Sequence, residues 1–334
     1  MNILVFTNMY PYPEKPYYGI FVKEQAESLR QMGIGIDVLF VNGEISKFNY
    51  IKTFRQLFNK LSEKQYNIIH CHHTYCAFIA TLLKKVPVIL TFHEGEIFSG
   101  IGLIQRIKIY GLWKIVVFST MFKKFVLSRV NYVISVTESL ERIVQKDKLS
   151  VIPPGVNLSL FKPIAKNVAR NKLKLPIGKR IILFPADPKK KGKRFDMAKQ
   201  ATEYLKKEGM DILFITLGDV KYADVPYYMN SADVVLFTSD YEASPMVIKE
   251  ALACNVPIVS TDVGDIKWVI GDTKGCFICK RDANDVADKT KMALNYWKRT
   301  EGRKRIEQIE LGSKQIASKI MRIYEQVLET YEKE

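Results

Sequence analysis

SADVVLFTSDYEASPMVIKEALACNVPIVSTDVGD, residues 231–265, reads as a strand, a turn, a helix and a second strand. ADVVLF and VPIVST are short, almost continuous apolar runs, the pattern of strands buried on both faces of a sheet. Between them Ser244 and Pro245 form a good N-cap and N1 pair for a helix over MVIKEALAC. Strand, helix and strand in that order are the building unit of a parallel sheet.

The same alternation extends both ways along the chain. The first half offers NILVFT, IDVLFV, NIIHC, VPVILTFH, YVISVT and SVIPPG; after Lys162 come RIILFP, DILFIT, ADVVLF, VPIVST and GCFIC. Two such sets predict two doubly wound α/β domains, and 334 residues are more than one core usually serves. Pro153, Pro154, Gly155 and Pro163 punctuate the middle, so the boundary is expected at residue 162, with the polar, basic stretch to Lys179 as a linker. The domains are then 1–162 and 163–312. An amphipathic helix fills most of the remaining 313–334 and is expected to pack back on the N-terminal domain.

With 47% hydrophobic and 26% charged residues, the composition is that of a soluble globular protein. The formal charge of +16, from 51 Lys and Arg against 35 Asp and Glu, favours polyanionic partners: nucleotide phosphates, nucleic acid or an acidic membrane surface. Five cysteines make no disulfide framework in a chain of this length, which fits a reducing compartment. MNILVFTNMYPYP lacks the basic start and small-residue cleavage site of a secretory signal, and no apolar run is long enough to span a bilayer. A cytoplasmic location is expected.

Ligands of doubly wound sheets bind beyond the carboxyl ends of the strands. All four histidines fall at such ends: His70, His72 and His73 around NIIHC, and His93 closing VPVILTFH. Taken singly, each reads as a hydrogen-bonded structural imidazole. His93 stands apart because Glu94, Gly95 and Glu96 follow it in a short polar turn. HCHHTYC is not read as a zinc site, because His70, Cys71 and His72 alternate across a strand end rather than converging. Cys276 and Cys279 lie in a strand-like run without a partner pair and are expected in the core. Neither G-x-G-x-x-G nor G-x-x-x-x-G-K-S/T occurs, so a standard dinucleotide fold and a P-loop are unsupported. Gly19 precedes a helix starting near Ile20, where its backbone can approach a ligand.

The helix start at Ser244 and Pro245 is a ready anion site. Glu242 lies before that helix and Glu250 inside it, so they suit two parts of an extended ligand on either side of a phosphate, with carboxylates accepting from vicinal hydroxyls. PADPKKKGKRF adds Lys189, Lys190, Lys191, Lys193 and Arg194 at another strand end; a solvated basic loop is the plain reading, and phosphate neutralisation the functional one.

At these residues the chain resembles family 4 of the retaining glycosyltransferases. The likeness rests on the Glu-x7-Glu spacing of Glu242 and Glu250, on Gly19, on TFHEGE at His93, and on VISVTESL, VIPPGVNLSLFKP and SADVVLFTSDYEASP in this order. It implies the GT-B fold, two facing Rossmann-like domains with a cleft between them. It also implies transfer of a sugar from a nucleotide diphosphate sugar with retained anomeric configuration, and no metal or other cofactor. By the same analogy Glu242 contacts donor sugar hydroxyls and Glu250 the ribose. Ser244, Pro245, Met246 and Val247 meet the diphosphate and sugar with help from Gly19, and His93 contacts the transferred sugar. Lys193 corresponds to the diphosphate-binding lysine, with Lys191 as a second candidate. The Gly-Arg pair usual after the first strand of the second domain is replaced by FPADP, and the frequent NGVD reads PGVN here. The flavour is that of cell-surface polysaccharide transferases.

Residues 97–137 hold no Asp or Glu but carry Arg106, Lys108, Lys114, Lys123, Lys124 and Arg129 among large apolar residues. That pattern suits anionic lipid headgroups, and with it a lipid-linked acceptor at the inner membrane face; a core helix with solvated lysines is the alternative reading. The competing readings are another GT-B chemistry, such as an epimerase or a phosphorylase, and a non-catalytic polyanion binder. No recognisable nucleic-acid module supports the last.

Overall fold

A computed structural model describes residues 1–43, 49–83, 85–93, 120–141, 143–218 and 220–333. Glu94, Gly95, Glu96 and the basic stretch up to residue 119 lie outside the described residues. The chain divides into two compact units, Met1–Pro154 with Lys314–Glu334, and Gly155–Ser313.

The first unit holds six parallel strands: β1 (Asn2–Thr7), β2 (Gly35–Phe40), β3 (Ile68–Cys71), β4 (Val88–Phe92), β5 (Tyr132–Ser135) and β6 (Leu149–Val151), in the order β2-β1-β3-β4-β5-β6. Their helices include α1 (Ile20–Gln31), α2 (Asn49–Glu63), α3 (Thr74–Leu83) and α4 (Thr120–Leu127). Alternate strand residues turn to opposite faces. Leu4, Phe6, Ile69, Cys71, Leu90 and Phe92 share one face with Leu57 of α2, Ala77 and Ala80 of α3 and Val126 of α4. Ile3, Val5, Ile68 and Ile89 are buried on the other. There the C-terminal helix, Ser313–Tyr331, joins this unit: Tyr324 is fully buried and its hydroxyl lies 2.6 Å from His70 Nδ1. β1 stands between β2 and β3, so strand order reverses between β1 and β3, the position at whose carboxyl ends sheets of this kind bind ligands.

The second unit has five parallel strands: β7 (Arg180–Phe184), β8 (Ile212–Thr216), β9 (Val234–Phe237), β10 (Ile258–Thr261) and β11 (Phe277–Cys279), in the order β11-β10-β9-β7-β8. The helices are α5 (Lys166–Lys172), α6 (Phe195–Lys207), α7 (Val225–Ser231), α8 (Met246–Ala253), α9 (Ile266–Ile270), α10 (Ala283–Leu294) and α11 (Gly302–Gln308). Ile182, Phe184, Val234, Leu236 and Val259 pack against Met197, Ala198 and Ala201 of α6 and Val286 and Ala287 of α10. The reversal of strand order falls between β7 and β9.

Two details differ from the sequence reading. The second unit begins at Gly155 rather than at residue 163, because the Val156 N–H donates to Leu311 O and the Ser313 N–H to Val156 O, tying this segment to the end of its own unit. The stretch read as a linker contains α5. Its Arg170, only 2% exposed, donates to Asp233 Oδ2 at 2.7 Å and to Ser231 O at 3.0 Å. A lone basic residue in a polar run looks solvated; here its acidic partner lies far along the chain and fixes it in the core.

Candidate functional site

The reversal between β7 and β9 positions the loops that follow those strands side by side. After β7 the chain passes Lys189, Lys190 and Lys191, all exposed, and makes a short 3-10 turn at Lys191–Lys193. Lys193 is half-buried, and its ammonium forms an ion pair with Glu242 Oε1 from the loop after β9. Of the two lysines the sequence left open, the geometry brings Lys193 rather than Lys191 to Glu242. The same turn is pinned from below: Thr238 Oγ1 donates to Lys193 O and Arg194 O, and the Asp240 N–H donates to Gly192 O at 2.9 Å. A Cβ on Gly192 would come within 2.7 Å of the hydroxyl of the exposed Tyr241 side chain, which would have to move aside.

Beyond Glu242 the chain enters α8, and the sequence expectation needs correction. Ser244 is not the N-cap; Pro245 is, with φ −70° and ψ 120° and no side-chain cap bond. The reason is that the Ser244 hydroxyl is engaged elsewhere. It donates to Asp265 Oδ2 and accepts from Lys249 Nζ at 2.7 Å. The first amides of α8, at Met246 and Val247, have no intrahelical acceptor, as at any helix start. Lys249 is fully buried, with Nζ 3.8 Å from Asp265 Oδ2. Burial lowers its pKa to about 8 against the opposing pull of the Asp265 charge, and burial raises that of Asp265. The Asp265 N–H donates to Ala243 O at 3.1 Å, and Gly264, at φ 59°, passes so close that a Cβ would sit 2.3 Å from that oxygen. Glu250 is buried on α8, where the Tyr222 hydroxyl donates to its Oε1 at 3.4 Å. Glu242 and Glu250 therefore serve separate environments, not one carboxylate pair.

Gly19 and His93 belong to the first unit. Gly19 precedes α1 at φ 62°, and a Cβ there would lie 2.2 Å from the Met9 carbonyl carbon, so the glycine is required by the chain's own backbone. Two residues on, Phe21 packs edge-on against the His93 ring at 4.8 Å between centroids. His70, Cys71 and His72 alternate as expected, and on their shared face the imidazoles form a row with His93. His70 and His72 stack at 4.4 Å, and His72 Nδ1 lies 3.0 Å from His93 Nε2. Residues two apart on a strand share a face, and His93 at the end of the adjoining strand completes the row. Burial lowers the pKa of His70 and of His93 to about 3, and that of His72 well below its ordinary value, so the row is neutral. Cys71 turns to the opposite face, into the apolar core. Among the described residues no group of three or more His, Cys, Asp or Glu is placed to hold a metal ion. Cys279 is buried and Cys276 half-buried, and neither forms a disulfide.

Residues 191–295 match the family described as "Glycosyl transferases group 1", and residues 23–160 match "Glycosyltransferase Family 4". The former span contains Lys193, Glu242 and Glu250; the latter contains the histidine row. The chain is a GT-B glycosyltransferase. Among solved structures, the transferase is similar to sucrose-phosphate synthase from Thermosynechococcus elongatus, with TM-score 0.75 and 19% identity over 99% of this chain and 100% of that one. It is also similar to HepE from Anabaena in complex with UDP, with TM-score 0.69 and 13% identity over 98% and 100%. These likenesses show the fold. Among curated relatives, the teichuronic acid biosynthesis glycosyltransferase TuaC of Bacillus subtilis, a putative assignment in its own name, is 22% identical over 86% of this chain and 88% of its own. D-inositol 3-phosphate glycosyltransferase of Arthrobacter sp. is 28% identical over 42% of this chain and 41% of its own.

Sequence reasoning missed Lys249, Asp265 and Gly192 in the transferase. The signal for Lys249 was present: a lysine between Ile248 and the Ala251–Leu252–Ala253 run of a short helix, with an acid just past the next strand. For Gly192 the signal was a glycine inside a basic run.

Proposed function

We propose that the transferase moves a sugar from a nucleoside diphosphate sugar to an acceptor hydroxyl with retention of anomeric configuration and without a metal. The observation that carries this is the Lys193–Glu242 ion pair at the strand-order reversal, directly before α8. The lysine gives the diphosphate a cation, and the α8 amides and helix dipole add to it. Glu242 accepts from donor sugar hydroxyls and Glu250 from the ribose. Gly19 admits the donor to the first unit's loop, and neutral His93 meets the transferred sugar. In the reaction the bond between the anomeric carbon and the phosphate oxygen breaks, and its electron pair leaves on the diphosphate. The acceptor oxygen bonds to the same face, and its proton passes to the leaving phosphate. Charge develops on that phosphate, so fixed cations and dipoles there lower the barrier most.

Structures of HepE from Anabaena contain UDP and UDP-glucose, which supports a nucleotide sugar as the donor class. The family matches favour transfer over an epimerase, a phosphorylase or a non-catalytic polyanion binder. For the acceptor we infer a growing glycan or a lipid-linked one at the cytoplasmic membrane face, with no nucleic-acid partner. Support comes from the described part of the basic stretch: α4 exposes Met121 (83%), Lys124 and Phe125, and Arg129 lies over the Phe125 ring at 5.3 Å. Phe54 and Phe58 of α2 are exposed as well, with Lys85 4.3 Å above Phe58. Apolar side chains ringed by cations suit a peripheral contact with anionic lipid. No described helix is long and apolar enough to cross a membrane.

The test is incubation with sugar-labelled UDP, GDP and ADP hexoses and a bacterial lipid extract, followed by NMR of the product linkage. The expected result is label in the lipid fraction with the donor's anomeric configuration. Label with the inverted configuration contradicts retention, and turnover of a donor only into another sugar nucleotide contradicts transfer.

A further inference from the structure

Lys249 is the one lysine among the fully buried large side chains of the described residues. Its ammonium donates to Ser244 Oγ at 2.7 Å and stands 3.8 Å from Asp265 Oδ2, while Ser244 in turn donates to Asp265. Asp265 holds the same loop a second time through its backbone N–H to Ala243 O. Ala243 and Ser244, the residues between Glu242 and the start of α8, are thus fastened by one side-chain network and one main-chain bond. A buried ion pair of this kind is seldom more stabilising than apolar side chains of the same volume. Stability alone gives no reason for a charged lysine here; what the network specifies is the path of the loop.

We propose that Lys249 is a positioning residue of the donor site: acting through Ser244 and Asp265, it fixes residues 242–245 so that the Glu242 carboxylate and the first amides of α8 face the same ligand. This rests on the reading of that site as the place where a nucleoside diphosphate sugar binds. Lys249 does not touch the donor. Its neighbour Glu250 points to Tyr222 instead, so the helix presents one residue to each task.

The test measures binding of UDP, GDP and ADP by calorimetry, together with melting temperature, for the wild type, Lys249→Met and Lys249→Met/Asp265→Asn. Lys249→Met leaves Asp265 buried without its cation, so it is expected to melt lower and to bind the favoured diphosphate at least about tenfold more weakly. The double variant removes both charges, restores the melting temperature and still binds weakly. That separation of stability from binding is the signature of positioning. If the double variant recovers binding along with stability, or if Lys249→Met folds and binds as the wild type does, the positioning role is overturned while the donor site stands. If the wild type binds none of the three diphosphates, the donor-site reading falls, and this inference with it.

Discussion

The Lys193 ammonium and the Glu242 carboxylate pair across the reversal of strand order between β7 and β9, each from the loop following its strand. The carboxylate fixes the position of the cation. In the proposed reaction that fixed cation is the one offered to the departing phosphate.

Replacing Glu242 by Gln keeps the size of the side chain and removes the charge. The pair is partly solvated, with side chains 26% and 17% exposed, so its loss is expected to cost at most about 1 kcal/mol of stability. Transfer should fall by about a hundredfold or more, since the variant weakens both the acceptor for the donor sugar hydroxyls and the partner that holds Lys193 in place. Denaturant melts and initial transfer rates measured side by side check this. A large loss of stability with normal transfer would reverse the assignment.

Asp233 gives the opposite balance. It accepts from Arg170 Nη2 at 2.7 Å and from the Ile181 N–H at 2.7 Å, and it pairs with Lys166. Burial opposes its ionisation, but the Lys166 and Ile181 hydrogen bonds and the neighbouring cations lower its pKa below the ordinary value overall. Asp233→Ala strands Arg170 in the core and is expected to destabilise the second unit by roughly 3–5 kcal/mol. Urea unfolding followed by fluorescence measures it.

Gly264→Ala places a Cβ 2.3 Å from Ala243 O at a left-handed φ of 59°. The loop before α8 must shift or the backbone must change region, so a loss of about 1–3 kcal/mol is expected together with weaker diphosphate binding. Unchanged binding with a crystal structure showing the loop in place would contradict this.

The histidine row sets an acid limit. His70 and His93 have ordinary values of 6.5 lowered to about 3, so between these values the unfolded chain binds more protons than the folded one. Stability therefore rises with pH through that window, is complete above about pH 6.5, and declines as pH falls toward 3. Asp37, Asp196 and Asp233, whose values are lowered from 3.8, add their own loss only at the bottom of the range. Melting temperature recorded from pH 7 to pH 4 is expected to fall, and less steeply in His93→Gln.

The strands were legible because each is a short apolar run, and a strand buried on both faces needs little else to declare itself. The Glu242 and Glu250 spacing was legible for a similar reason, both lying within one strand–helix–strand unit. The stretch holding Arg170 was read as a linker because its partner Asp233 belongs to a strand end that only the sheet brings near. Lys249 escaped notice because a lysine in a helix ordinarily faces water, and its partners lie on either side of β10 in sequence. The convergence of His72 and His93 depends on β3 and β4 being neighbours, which strand order decides and local pattern does not.

In the proposed function a nucleoside diphosphate binds at Lys193, Glu242 and the start of α8. Calorimetric titration of UDP, GDP and ADP into the wild type, Lys193→Ala and Glu250→Ala tests it most directly. One diphosphate binding at a single site, weakened about tenfold or more in both variants, is the expected result. Equal affinity in all three proteins, or no binding to any of them, would contradict it.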